Sequence, residues 1–133
     1  MKKHIPNTLT SLNLFSGSIA TVMAFQGEYT WVVVWVIIAA LFDFSDGFAA
    51  RLLKAYSPIG KELDSLADMV SFGLAPSIAA FRFLSDNTIR ISQNPIIVEY
   101  LPYIAFLLAI FSALRLAKFN VDERQSESFI GLN

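Results

Sequence analysis

The longest uncharged stretch of the chain limits the folds available to it. Between Ile5 and Gly27 no side chain is charged, and about 20 mostly apolar residues are enough for an α-helix to cross a bilayer. The sequence therefore predicts a first transmembrane helix over residues 8–26. A cleaved signal peptide is the alternative for an apolar run after two lysines, but this run is long, contains polar side chains and lacks a small-x-small cleavage site.

Three further apolar segments follow. The run from Thr30 to Phe42 is too short to cross a bilayer, so the second helix must continue through two aspartates towards Leu53. The third segment begins in charged residues at 61–68 and becomes apolar from Met69 to Phe81, and the fourth covers residues 100–116. Residues 85–95 are polar, include a proline and are predicted to form a loop.

Composition supports a bilayer as the solvent of this chain. Hydrophobic residues make up 55% and charged residues 16%, whereas soluble domains carry about 25% charged residues. A net charge of −1 argues against nucleic acid as a partner. The absence of cysteine excludes disulfides, a thiolate nucleophile and a cysteine zinc site. The predicted fold class is all-α, a polytopic transmembrane bundle of about four helices in one domain, residues 1–133.

The basic residues give this bundle an orientation. Positive charges favour the cytoplasmic side, and four crossings return the chain to the side where it began. We therefore predict a multi-pass protein with both termini and the loop at residues 51–61 in the cytoplasm. Arg82 and Arg90 fall on the opposite side, and the cytoplasmic set is Lys2, Lys3, Arg51, Lys54, Lys61, Arg115, Lys118 and Arg124.

Two pairs of aspartates flank the predicted hairpin between the second and third helices. Asp43 and Asp46 are three residues apart, and Asp64 and Asp68 are four apart, so each pair shares a helix face. Carboxylates within a membrane segment are costly, and four close together repel one another. Acids on solvated helix ends, balanced by basic neighbours, are the alternative. A divalent cation removes both penalties, and oxygen ligands suit Mg²⁺, Mn²⁺ or Ca²⁺.

Small residues accompany the aspartates. Gly47 and Ala50 leave their helix face open for a ligand, and Ser57, Pro58 and Gly60 are predicted to form the turn of the hairpin. Arg51 is either a phosphate ligand or a cation that extends to the lipid headgroups.

The same stretch resembles a known family. Eight residues, spaced as they are between 43 and 68, match the signature of the CDP-alcohol phosphatidyltransferases at each fixed position: Asp43, Asp46, Gly47, Ala50, Arg51, Gly60, Asp64 and Asp68. Flanking segments PNTLTSLNLFSG, DSLADMVSFGLAPS, RLAKFN and SFIGL resemble the phosphatidylserine synthase branch. Met69 stands where related phosphatidylglycerophosphate synthases tend to carry a lysine.

The resemblance implies a function and its residues. A phosphatidyl group would pass from CDP-diacylglycerol to L-serine, giving phosphatidylserine and CMP at a site facing the cytoplasm. The four aspartates would hold one or two Mg²⁺ or Mn²⁺ ions, and Asp68 would be the catalytic base. Substrate-binding candidates are Gly47, Ala50, Arg51, Gly60, Asn7, Thr8, Asn13, Arg115 and Lys118, with polar helix contacts or membrane anchoring as the alternative for the last five.

The sequence also allows other acceptors and other classes of protein. Another acceptor, glycerol 3-phosphate or inositol or its phosphate, fits the same signature. A metal-ion transporter or a non-catalytic membrane fragment is the alternative of another class, although transport sites usually lie at mid-membrane. The resemblance implies a homodimer and a family core of about six helices, so with four predicted spans the chain is expected to be truncated at its C-terminus.

Overall fold

The described residues are almost entirely helical. A computed structural model describes the backbone of residues 4–55 and 57–131, and the side chains of these residues except 89, 91 and 122–131. A π-helical segment, Met69–Leu74, joins α3 to α4, and a 3-10 segment, Leu101–Ala105, joins α5 to α6. The α-helices are α1 (His4–Phe25), α2 (Tyr29–Leu53), α3 (Pro58–Asp68), α4 (Ala75–Ile91), α5 (Pro95–Tyr100) and α6 (Phe106–Gly131).

Four helical stretches within the described residues have the length and apolar character needed to cross a membrane. They cover His4–Phe25, Tyr29–Leu53, Pro58–Thr88 and Pro95–Val121. The predicted class, an all-α polytopic transmembrane bundle, is confirmed. As predicted, the second aspartate pair, Asp64 and Asp68, lies in the first part of the third span. The reason is that α3, the π-helical segment and α4 form one continuous rod.

Helix α1 is the central element of the bundle. It packs against α2, α3, the π-helical segment and α4. Its buried residues recur every three or four positions and therefore form one face. Small side chains let membrane helices approach closely, and polar ones bond across the interface. The buried face consists of Pro6, Thr10, Asn13, Ser16, Gly17, Ala20 and Ala24.

Glycine at position 17 permits a close approach of α1 to the π-helical segment. A Cβ atom there would lie 2.8 Å from Cα of Ser71 and would overlap the Ser71 hydroxyl. Real Cβ atoms do not come so close to backbone, so any other residue at Gly17 would push the two elements apart.

The hairpin between α2 and α3 differs in part from the prediction. The chain reverses at Lys54, which has φ 51° and donates its N–H to the carbonyls of Ala50 and Arg51. Ser57 caps α3 by accepting from Gly60 N at 3.0 Å. Pro58 and Gly60, predicted in the turn, instead lie in the first turn of α3, because proline is favoured at the first helical position.

The π-helical segment lies where the rod passes a proline. Pro76 cannot donate an N–H and would clash with the carbonyl four residues before it in a regular helix. The wider turn places the Ala75 N–H on the carbonyl of Val70, five residues earlier. Ser77 donates its hydroxyl to the carbonyl of Gly73 at 2.7 Å. The rod thus stays continuous through the proline.

Most of the predicted loop at 85–95 is helical, so that prediction is wrong. Helix α4 continues to Ile91, and α5 already begins at Pro95. An ion pair four residues apart, Arg82 Nε to Asp86 Oδ2 at 3.1 Å, supports the last turns of α4. Asn94 caps α5 by accepting from Ile96 N at 3.0 Å, which leaves only residues 92–94 between the two helices.

The C-terminal end of α1 lies beside α4. Arg82 Nη1 donates to the carbonyl of Phe25 at 2.8 Å. Arg82 is thus at the opposite end of α1 from Asn7 and Thr10, as the charge distribution predicts. Lys2, Lys3 and the side chain of Arg124 lie outside the described residues.

Candidate metal centre

Three aspartates from two helices converge in the hairpin. Asp43 of α2 and Asp64 and Asp68 of α3 each offer a carboxylate oxygen, and these three oxygens lie within 4.8 Å of one another. We call this group the carboxylate triad. The spacing of the two pairs makes it possible, since each pair faces one side of its helix and the short turn places the two faces opposite each other.

The triad has the properties expected of a binding site for a hard cation. Two oxygens on opposite sides of one Mg²⁺ are about 4 Å apart, and on one Ca²⁺ about 5 Å. Asp64 Oδ1 is buried and has no hydrogen-bond partner among the described residues. A buried oxygen without a partner is costly, and a bound cation satisfies it. The residues therefore fit a divalent ion.

Asp46, the remaining signature aspartate, is held differently. Its side chain is 5% exposed, and its Oδ2 accepts a hydrogen bond from Thr10 Oγ1 at 2.6 Å. It is not a member of the triad, although its charge interacts with those of Asp43, Asp64 and Asp68. Thr10 thus fixes Asp46 beside the triad from α1.

Asp68 also has a partner on α1. Asn13 Nδ2 donates to Asp68 Oδ1 at 3.1 Å, and Asn13 Oδ1 accepts from Ser71 Oγ at 2.7 Å. Both groups of the Asn13 amide are therefore bonded within the protein. Asn13 and Ser71 are fully buried, so this contact is closed to solvent.

A cavity of about 340 Å³ adjoins the triad at Asp68. Helix α6 forms its other wall and is held near α3 by Asn120 Nδ2, which donates to Ser65 Oγ at 2.7 Å. Gly73 lets α6 come close, because a Cβ there would lie 3.0 Å from Ser112 Cβ. An anion in this cavity would meet Arg115 on one side and the triad on the other. The lining residues are Asp68, Phe72, Ser112, Arg115, Leu116 and Phe119.

The remaining predicted site residues on α2 are exposed or half-buried. A Cβ added to Gly47 would meet no atom within 4 Å, and Ala50 is half-buried. Arg51 is exposed and lines a groove of about 430 Å³ with Phe44, Phe48 and Leu52. This face is accessible to a ligand.

The predicted site residues on α1 and α6 differ in their contacts and exposure. Asn7 contacts the hairpin, since a Cβ on Gly60 would lie 2.8 Å from Asn7 Oδ1. Thr8 is exposed and donates to the carbonyl of His4 at 2.6 Å. Lys118 is exposed and does not line the cavity beside Asp68. Arg115 is exposed as well but lines the cavity beside Asp68, whereas Thr8 and Lys118 do not line it.

The site lies inside the bundle rather than at the helix ends. Asp46 is seven residues from the end of α2, and Asp64 is six residues from the start of α3. At 1.5 Å per residue these are depths of about 10 Å. The carboxylates of Asp46 and Asp64 therefore lie about two helical turns from the ends of their helices.

Thr10 and Ser71 are two polar contacts that sequence reasoning missed. Thr10 follows Asn7 and precedes Asn13 at intervals of three residues, so a polar stripe along α1 was a usable signal. Ser71 carried no comparable signal, because its role depends on the rotation of the π-helical segment against α1.

Comparison with known proteins agrees with the resemblance found in the sequence. A family model described as CDP-alcohol phosphatidyltransferase matches residues 3–131. The CDP-diacylglycerol–serine O-phosphatidyltransferase of Helicobacter pylori (strain ATCC 700392 / 26695) is 36% identical over 131 residues, covering 96% of this chain and 51% of the relative. No solved structure matches the chain.

Two further relatives come from other groups of organisms. The CDP-diacylglycerol–serine O-phosphatidyltransferase of Bacillus subtilis (strain 168) is 35% identical, with 97% of this chain and 68% of the relative covered. The archaetidylserine synthase of Methanothermobacter thermautotrophicus is 32% identical, with 96% of this chain and 52% of the relative covered. The chain thus spans about half the length of the Helicobacter and Methanothermobacter relatives.

Proposed function

The chain belongs to the CDP-alcohol phosphatidyltransferase family, and on that premise we propose that it transfers a phosphatidyl group from CDP-diacylglycerol to L-serine, producing phosphatidylserine and CMP. The names of the relatives support the acceptor. Two are named for transfer from CDP-diacylglycerol to serine and one for making archaetidylserine, so serine is common to the three while the lipid differs.

The observation that carries the proposal is the carboxylate triad beside the cavity that contains Arg115. Asp43, Asp64 and Asp68 would hold Mg²⁺ or Mn²⁺, with Asp46 fixed nearby by Thr10. When bound, such an ion neutralises charge on the pyrophosphate of the donor as CMP leaves. One end of the cavity would thus serve the donor and the other the acceptor.

Asp68 is the proposed base because it belongs to the triad and also lines the cavity. It would accept the proton of the serine hydroxyl. The serine oxygen would then bond to the phosphorus that carries diacylglycerol, and the bond from that phosphorus to CMP would break. Arg115 would hold the serine carboxylate through paired N–H groups.

The open face of α2 suits the nucleotide part of the donor. Gly47 and Ala50 leave room there, and Arg51 is exposed at its edge. Acyl chains would remain in lipid, beside the apolar side chains of Phe44 and Phe48. We also propose that the site faces the cytoplasm of a cell membrane and that two copies of the chain form a homodimer.

The test is CMP release from CDP-diacylglycerol in detergent, with and without L-serine and with Mg²⁺, Mn²⁺ or EDTA. Release that requires both serine and a divalent ion is the expected result. Release with glycerol 3-phosphate or inositol instead of serine would refute the acceptor. Metal binding without CMP release under any condition would favour the transporter alternative.

Arg115→Gln tests the acceptor end of the cavity. Loss of a charged hydrogen bond should raise the KM for serine by about tenfold or more and leave kcat nearly unchanged. Arg82→Gln is the matched control, because Arg82 is a cation at the other end of α1. An equal KM in Arg115→Gln and wild type would remove Arg115 from the serine site.

A further inference from the structure

Asn13 is the one polar side chain of α1 that contacts the carboxylate triad directly among the described residues. It is fully buried, and its Nδ2 donates to Asp68 Oδ1 at 3.1 Å. The Asp68 carboxylate can rotate about its Cβ–Cγ bond, and the hydrogen bond from Asn13 restrains that rotation. The position of the Asp68 oxygens is thus set from a different helix.

The orientation of the Asn13 amide is set in turn by Ser71. The Ser71 hydroxyl lies 2.7 Å from Asn13 Oδ1 and 3.1 Å from the Asn13 carbonyl oxygen. If the amide were reversed, its oxygen would face the Asp68 carboxylate, and two acceptors would be left without a proton between them. Ser71 is fully buried as well, so water does not compensate a reversed amide.

We infer that Asn13, oriented by Ser71, is a positioning residue that holds the Asp68 carboxylate in place for a divalent cation. The inference rests on the proposed function only for the role of the bound ion in catalysis. Partners of metal-binding carboxylates orient the ligands and tune their affinity. Asn13 thereby acts through Asp68, and its full burial keeps its amide away from a substrate.

A purely structural role is the competing account, because polar residues also join membrane helices without any part in a site. The two accounts differ in what they change. A structural contact alters stability alone, whereas a positioning contact also alters the affinity of the triad for a metal ion.

Ser77 offers a matched control for Ser71. Both serines are fully buried and both belong to the rod formed by α3, the π-helical segment and α4. Ser77 donates its hydroxyl to the carbonyl of Gly73 at 2.7 Å and has no bond to Asn13 or Asp68 among those described. Ser77→Ala therefore removes one buried hydroxyl without touching the proposed contact.

The experiment measures Mn²⁺ binding to the purified chain in detergent by electron paramagnetic resonance, without lipid donor or serine. We expect Asn13→Ala to weaken Mn²⁺ binding by about 10–100-fold. Ser71→Ala should weaken it by about fivefold, the equivalent of one neutral hydrogen bond, and Ser77→Ala should leave it unchanged. In the double variant the Ser71→Ala effect should vanish, because both changes act on one contact.

Either of two outcomes would overturn the inference. These are equal Mn²⁺ affinities in Ser71→Ala and Ser77→Ala with wild-type affinity in Asn13→Ala, or no Mn²⁺ binding by the wild-type chain. If Asn13→Ala does not fold, the Ser71→Ala and Ser77→Ala pair decides alone. Graded Mn²⁺ affinities in a chain that releases no CMP would refute the transferase proposal and leave this inference standing.

Discussion

The two ends of α1 are held by different kinds of contact. Towards its N-terminus, Thr10 and Asn13 bond to carboxylates of α2 and α3. Towards its C-terminus, Ala24 packs with Val32 and Ile78 in an apolar core, and the Arg82 bond to the Phe25 carbonyl lies outside it at the surface. We call these regions the polar end and the apolar end of the bundle.

The two ends contribute differently to the stability of the bundle. A cluster of three aromatic rings, Phe81, Tyr103 and Phe106, joins α4 to the 3-10 segment and α6 on the apolar side. Such packing supplies stability in a membrane, where lipid removes the usual hydrophobic drive between helices. The polar end instead concentrates like charges that repel one another when no ion is bound. Stability and chemistry are thus separated along one helix.

Asp68→Asn should have the most different effects on turnover and on stability. Turnover should fall by about 10²–10⁴-fold if the carboxylate is the base. Thermal stability in EDTA should equal or exceed that of wild type, because one of several like charges is removed. CMP release and thermal unfolding of the same preparation measure both quantities. Wild-type turnover would remove Asp68 as the base, and a large loss of stability would contradict the division between the ends.

Phe106→Ala should have the converse effect at the apolar end. The ring lies 5.2 Å from Phe81 and 5.9 Å from Tyr103, measured between ring centroids. Each aromatic pair contributes about 0.5–1.5 kcal/mol, so we expect a loss of roughly 1–3 kcal/mol in the free energy of unfolding. Turnover per folded molecule should not change.

Phe106→Leu is the control for that variant, since it keeps most of the apolar volume and loses the ring contacts. Its stability should lie between those of Phe106→Ala and wild type in a denaturation series. A changed Mn²⁺ affinity in either variant would mean that the apolar end also sets the geometry of the triad.

Arg82→Gln should have the smallest effect. The Arg82–Asp86 ion pair is about half exposed, and exposed pairs contribute about 0–1 kcal/mol. A change of at most about 1 kcal/mol in unfolding free energy is expected, with unchanged CMP release. Asp86→Asn removes the same pair and keeps the Arg82 bond to the Phe25 carbonyl, so the difference between the variants isolates that bond.

The sequence predicted the helices and the meeting of the aspartates for one physical reason. Apolar run length and the spacing of Asp43, Asp46, Asp64 and Asp68 are local properties, and a short hairpin leaves few ways to arrange two helices. The separation of Asp46 from the triad was not predicted. It depends on Thr10, 36 residues earlier in the chain, and on how far α1 is rotated about its axis.

Two other differences also come from contacts that spacing does not reveal. The polarity of residues 85–91 indicated a loop, but local bonds such as the Arg82–Asp86 pair keep this segment helical. The sequence leaves two alternatives for Asn13, a substrate contact or a polar contact between helices, and the structure shows it bonded to Asp68 and Ser71. Polar composition alone does not distinguish a solvent-exposed group from one bonded inside a membrane bundle.

The contact at Gly17 makes the geometry of the triad depend on a residue that contributes no functional group. Gly17 is one helical turn from Asn13 on the same face of α1, and the missing side chain leaves space for Ser71. A single methyl group at this position would act as a wedge, moving a whole helix relative to its neighbour. Every distance between α1 and the carboxylates would then change together. The positions of the α1 side chains relative to the carboxylates therefore depend on how closely the backbones of α1 and the π-helical segment can approach.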